Sequence, residues 1–164
     1  MTESVIGETL ERLNVGTFER FAENDDALLQ TQRLLAEGKI VAVKGLGGFH
    51  LACDATNAQA VTELRARKLR VDKPFALMMP DLETIEEHCL VSDQERQLLI
   101  STARPIVLLR RKPSSNIAKE VTPRQDWLGV MLPYTPLHYL LFAESNVERL
   151  TFNVPPLVMT SGNL

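Results

Sequence analysis

Apolar runs of four or five residues alternate along this chain with longer segments of helical periodicity, which restricts it to a layered α/β arrangement. Ile40-Val41-Ala42-Val43 reads as a buried strand and opens directly into the glycine-rich loop Gly45-Leu46-Gly47-Gly48. Ahead of it, Asp25 and Asp26 can cap a helix that carries Ala27, Leu28, Leu34 and Leu35 on one side and stops at Gly38. A second helix is predicted from Asn57 to Lys68, then a strand over Phe75–Met79. Ser92-Asp93-Gln94-Glu95 has the pattern of a capping box before Leu98, Leu99 and Ile100. Further strands are expected at Ile106–Leu109, Leu128–Leu132 and Leu157–Thr160. Thr135-Pro136 starts a helix through Leu137, Leu140, Leu141 and Phe142. Residues 112–126, broken by Pro113 and Pro123, read as an irregular loop.

At 164 residues the chain fits one domain, taken as 25–164, preceded by a polar lead-in segment over 1–24. Its end at Leu164, just past a strand-to-loop junction, suggests a fold incomplete at the C-terminus. With 45% hydrophobic and 24% charged residues it has an ordinary globular balance. A net charge of −3 excludes a generic polyanion binder, so any anion site must come from a local concentration of Lys and Arg. Two cysteines, Cys53 and Cys89, without metal-ligand spacing argue against a metal site and suit a reducing, cytoplasmic setting. No run approaches the roughly 20 apolar residues of a membrane span.

Such a concentration exists. Arg65, Arg67, Lys68, Arg70 and Lys73 place five cations within nine residues. A bound triphosphate would relieve their mutual repulsion, Arg offering a planar fork and Lys a point charge; a solvated helix end is the plainer reading. Lys44-Gly45-Leu46-Gly47-Gly48-Phe49-His50 is a second signal, since glycines after a strand let the backbone approach an anion. It is neither a P-loop nor a complete dinucleotide fingerprint. His50 reads as either a proton carrier or a structural residue. Thr160-Ser161-Gly162-Asn163, at a strand end, offers hydroxyl and amide ligands, or a plain turn. The thiols and the Met78-Met79 pair are expected to be buried, Trp127 to pack rather than stack on a ligand, and Arg110-Arg111-Lys112 to be a solvated strand end.

Taken together these segments resemble the YrdC-like domain of hydrogenase-maturation carbamoyltransferases (HypF). The stretches carrying the likeness are Lys44–Ala55, Arg65–Ala76, Leu128–His138 and Pro156–Asn163, in that order. The resemblance implies a twisted mixed sheet with flanking helices around a large, concave, basic cavity. It also implies ATP and Mg²⁺ as cofactors, with Lys68 and Arg70 as the catalytic cations. Lys44, Gly47, Gly48, His50, Arg67, Lys73, Thr160, Ser161 and Asn163 would bind nucleotide and substrate. The implied reaction joins carbamate, derived from carbamoyl phosphate, to AMP with release of pyrophosphate, for cyanide-ligand synthesis in NiFe-hydrogenase maturation.

The implied partners are the acylphosphatase, zinc-finger and C-terminal transferase domains of such a protein, and a maturation protein carrying the acceptor cysteine. By itself the chain is expected to bind nucleotide poorly, or to fold imperfectly, and not to complete carbamoyl transfer. Two other readings stand beside this one. A threonylcarbamoyl-AMP synthase for tRNA modification would need side-chain hydroxyls that Gly45–Phe49 lacks. A non-catalytic module for double-stranded RNA would use the cations at 65–73.

Overall fold

The computed structural model describes residues 24–143 and 154–163. The lead-in segment, apart from Asn24, lies outside them. Helix α1 (Asn24–Ala36) begins one residue before the two aspartates expected to cap it. Its end follows the sequence, because Gly38 adopts φ +76° and the amides of Gly38 and Lys39 return to the carbonyls of Leu35 and Leu34. Strands β1 (Val41–Lys44) and β2 (Phe49–Asp54) form a hairpin across the glycine loop, closed by a 2.7 Å bond from Gly45 N–H to the Gly48 carbonyl.

Helix α2 (Ala58–Arg67) starts on Asn57, whose side-chain oxygen accepts from the Ala60 amide at 3.1 Å. After β3 (Ala76–Met78) come α3 (Leu82–His88), the two-residue strand β4 (Cys89–Leu90) and α4 (Asp93–Ile100). The predicted capping box on Ser92 and Glu95 is present. Strands β5 (Val107–Arg111) and β6 (Trp127–Met131) flank a loop that includes a 3₁₀ turn at Lys119–Val121. Helix α5 (Pro136–Phe142), capped by Thr135, and β7 (Leu157–Ser161) complete the set.

Three elements escape sequence reasoning. Strand β2 is hidden because it follows the glycine loop without a break. Helix α3 has seven residues and buries Ile85 and His88, too little for a periodicity to register. Strand β4 is only two residues long. The 112–126 loop is also better anchored than expected, with Ile117 and Val121 buried and Ala118 N–H bonded to the Ala55 carbonyl.

Among the described residues, seven strands form one mixed sheet in the order β1-β2-β7-β3-β6-β5-β4. Only β3 and β6 run parallel; every other neighbouring pair is antiparallel. One face carries Leu51, Leu77, Leu109, Val130 and Val158 and is covered by α2, α3 and α4 through Leu64, Ile85 and Leu99. On the other, Leu35 of α1 and Leu141 of α5 cover Ala52, Met78, Leu157 and Met159.

That second cover is partial. A single register row on this face runs Leu108, Gly129, Ala76, Met159, Ala52, Val41. Met159 is buried under the helices, whereas Leu108 is 65% exposed. The sheet therefore has a bare floor at its β3-β6-β5 end, and the site lies where cover gives way to floor.

Candidate functional site

Strand polarity gathers the candidate residues at one end of the sheet. The C-terminal ends of β1 and β7 and the N-terminal ends of β2 and β3 all lie there. Lys44, the glycine loop, His50, the 68–75 turn and Ser161–Asn163 thereby converge from distant parts of the sequence.

Lys68 is the hinge of this corner. It caps the C-terminus of α2 and is buried, and its Nζ donates to the Ser161 carbonyl at 2.6 Å and to the Asn163 carbonyl. Burial, and secondarily the neighbouring Arg70, lower its pKa from the usual lysine value. A group disfavoured as a cation for these reasons gains from a nearby anion. Leu69 turns the chain with φ +50°, and its side chain is exposed to solvent. Arg70 then lies over the Phe75 ring, 5.3 Å from its centroid; its amide donates to the Arg65 carbonyl at 3.1 Å, while its guanidinium donates to no protein acceptor among the described residues. Its planar fork remains available.

Opposite, the Ser161 hydroxyl accepts from the Asn163 amide at 3.1 Å, and the Gly162 amide donates to the Phe49 carbonyl at 2.7 Å. A Cβ at Gly162 would stand 3.0 Å from that same oxygen, so glycine is what permits the approach. Lys44 Nζ sits 5.0 Å above the Phe49 ring. His50 pairs with Ser161 across β2 and β7, so the two side chains share a face. Burial lowers the His50 pKa, and its Nδ1 is enclosed with no partner among the described residues. Gly45 makes room for the imidazole, since a Cβ there would come within 2.7 Å of the ring. Gly47 and Gly48 have open space where a Cβ would be.

Several expectations need correcting. Thr160 does not join the corner: strand alternation turns its side chain to the opposite, α2-covered face, where it is buried beside Leu51. Arg65 is not one of the free cations, because it is 8% exposed and its guanidinium is occupied by backbone carbonyls. Arg67 pairs with Glu63 one turn back, and Lys73 is exposed, its carbonyl accepting from Arg65. Arg111 and Lys112 are not a solvated strand end. Arg111 donates to the Ile117 carbonyl and ties the 112–118 loop to β5, and Lys112 donates to the Glu86 carbonyl of α3. The cysteines are buried as expected; burial first, then Asp54 and Glu63, push the Cys53 thiol up to about 12.

Trp127 is not buried in the core. It is 48% exposed and lines a cavity of about 570 Å³ on the bare floor, with Pro74, Phe75, Ala76, Leu108 and Gly129 among its neighbours. The lining is uncharged, and Phe75 is shared between this hollow and the Arg70 stack. His138 is the other residue that sequence reasoning missed. It is fully buried, with its ring 4.5 Å from Tyr134 and 6.2 Å from His50. Its spacing from Leu141, three positions on along α5, was the available signal that it faces inward.

The family model described as Sua5/YciO/YrdC, telomere recombination, matches residues 33–164. The chain belongs to the Sua5/YciO/YrdC family. Within that family it is similar to the carbamoyltransferase HypF2 of Cupriavidus necator, 49% identical over 148 residues, covering 86% of this chain and 18% of the relative. The crystal structure of full-length HypF in a phosphate- and nucleotide-bound form aligns with a TM-score of 0.73 and 49% identity, over 90% of this chain and 18% of that one. P. abyssi Sua5 complexed with L-threonine shares the fold, with a TM-score of 0.70 at 19% identity over 88% of this chain and 40% of that one.

The chain thus spans about a fifth of the length of its HypF relatives. The mixed seven-stranded sheet with its helices is the Sua5/YciO/YrdC fold that the resemblance implied. Among the described residues no helix is long and apolar enough to cross a membrane.

Proposed function

We propose that this chain is the nucleotide-binding domain of a HypF-type carbamoyltransferase and activates carbamate by adenylation. The observation that carries this reading is the bond from Lys68 Nζ to the Ser161 carbonyl. It joins the Lys-X-Arg turn to the Ser-X-Asn junction in one corner, bordered by an uncharged hollow of nucleotide size. The triphosphate lies against Lys68 and Arg70, with Ser161 and Asn163 as polar ligands and Lys44 at the rim. The base and ribose extend towards Trp127 and Phe75.

A carbamate oxygen attacks the α-phosphorus, the bond from that phosphorus to the β-phosphate bridge breaks, and pyrophosphate leaves with its electron pair. The residues form no covalent bond; they position the reactants and offset charge on the leaving group. Among the described residues no group of three or more His, Cys, Asp or Glu could hold a metal. Mg²⁺ would arrive on the phosphates, which are its usual ligands in nucleotide sites. In the whole protein the carbamoyl group would pass to the transferase domain and on to a partner's cysteine in the cytoplasm, for hydrogenase maturation.

Calorimetric titration with Mg-ATP tests the nucleotide assignment, beside a Lys68→Ala/Arg70→Ala control whose folding is verified by thermal melting. Saturable binding lost in the control supports it, and equal binding by the two proteins rejects it. Pyrophosphate release that requires carbamate supports the acyl assignment; release that requires threonine replaces it with threonylcarbamoyl chemistry.

A further inference from the structure

We propose that Arg65, which lies outside the anion corner, is the positioning residue that holds Lys68 and Arg70 in the geometry that grips the polyphosphate. This inference rests on the nucleotide reading above and extends it to a residue behind the site.

The guanidinium of Arg65 is spread over two separate pieces of backbone. From one side it donates to the carbonyls of Arg70 (3.3 Å), Val71 (3.3 Å) and Lys73 (3.0 Å), which form the turn carrying the site cations. From the other it donates to the carbonyls of Glu120 and Val121, in the 3₁₀ turn of the long loop. It also lies 4.8 Å from the centroid of Phe75, the ring on which Arg70 rests. Arg70 and Arg65 thus share one aromatic platform, one cation facing the site and the other behind it.

Among the described residues, the acceptors around Arg65 are backbone carbonyls and no carboxylate bonds to it. A buried cation hydrogen-bonded only to carbonyls, with the Asp72 and Glu120 carboxylates nearby but not bonded to it, is an expensive way to fasten a loop, because neutral donors would do the same without desolvating a charge. What the charge adds is a fixed positive field behind Lys68 and Arg70. The fork itself adds rigidity: Leu69 at φ +50° and four consecutive exposed residues, 71–74, would otherwise leave this turn with few anchors. Lysine keeps the charge but cannot reach five carbonyls in two directions.

The test separates anion grip from general stability. Affinities for Mg-ATP, inorganic tripolyphosphate and adenosine are measured on the chain and on its Arg65→Lys and Arg65→Gln variants, with folding followed by circular dichroism and melting. In folded variants the expected result is a tenfold or greater loss of affinity for Mg-ATP and tripolyphosphate, with adenosine binding within twofold of the original. Anion affinities that stay within twofold overturn the proposal, as does a parallel fall in adenosine binding, which would mark Arg65 as a plain structural staple. Failure of both variants to fold overturns it too, because Arg65 would then be holding the whole domain together. Absence of Mg-ATP and tripolyphosphate binding by the unmodified chain would instead sink the nucleotide reading itself.

Discussion

Lys68 and Ser161, 93 positions apart in sequence, are joined by a 2.6 Å bond from the lysine ammonium to the serine carbonyl. The contact locks the end of α2 onto the end of β7. It also fixes the ammonium beside the backbone that turns through Gly162 to Asn163. Lys68 is thus a structural tie and, on the proposed reading, a ligand of the phosphates.

Replacing Lys68 with alanine should therefore have two separable effects. Losing charge-assisted bonds at a buried site costs about 1.5–3 kcal/mol of stability, read as a lower melting temperature. Mg-ATP affinity should fall by more than the same change at exposed Lys73 produces. Similar losses at the two positions would show that the corner has no privileged cation.

Gly45 should tolerate no side chain. A Cβ there would lie 2.7 Å from His50 Cε1 and 2.9 Å from Nδ1, so Gly45→Ala forces the imidazole to shift from its place. Overpacking of this kind typically costs about 1–3 kcal/mol. Gly47→Ala, with open space around it, should change stability far less despite lying in the same loop. Melting curves for the pair decide the matter, and equal losses would refute the packing account.

The chain has a single tryptophan, and Trp127 lines the hollow assigned to the base. Adding Mg-ATP should change its fluorescence saturably, with the same midpoint as the calorimetric titration. Tripolyphosphate, which has no base, should leave the signal nearly unchanged. A base bound elsewhere would show heat without a fluorescence response.

All three histidines, His50, His88 and His138, have pKa values lowered chiefly by burial. Their folded values lie below the usual histidine value of about 6.5, which the unfolded chain keeps. Between those values the unfolded state binds more protons, so stability rises with pH through that window. The contribution is complete above about 6.5 and is lost as pH falls towards the folded values. Melting temperature should be level from neutral to mildly alkaline pH and drop on acidification below about 6.5. A flat profile down to pH ~5 would contradict the burial of these rings.

Local physics made part of this protein legible from its sequence. Gly38 had to end α1, Ser92 and Glu95 had to cap α4, and apolar runs bounded by glycine or proline had to be strands. These outcomes depend on residues within a few positions of one another. The Lys-X-Arg and Ser-X-Asn elements were singled out as candidate ligands by the family resemblance rather than by local physics.

Strand polarity and side-chain alternation were settled only in three dimensions. The sequence offered Thr160 and Ser161 as equivalent ligands; the β2-β7 register buried one and left the other at the corner. It offered Arg65 and Arg70 as equivalent cations; only tertiary packing put five carbonyls around the first and, among the described residues, none around the second. Trp127 became a cavity wall because α1 and α5 cover one end of the sheet face and stop short of the other. Such outcomes depend on contacts between residues far apart along the chain, and no local pattern encodes them.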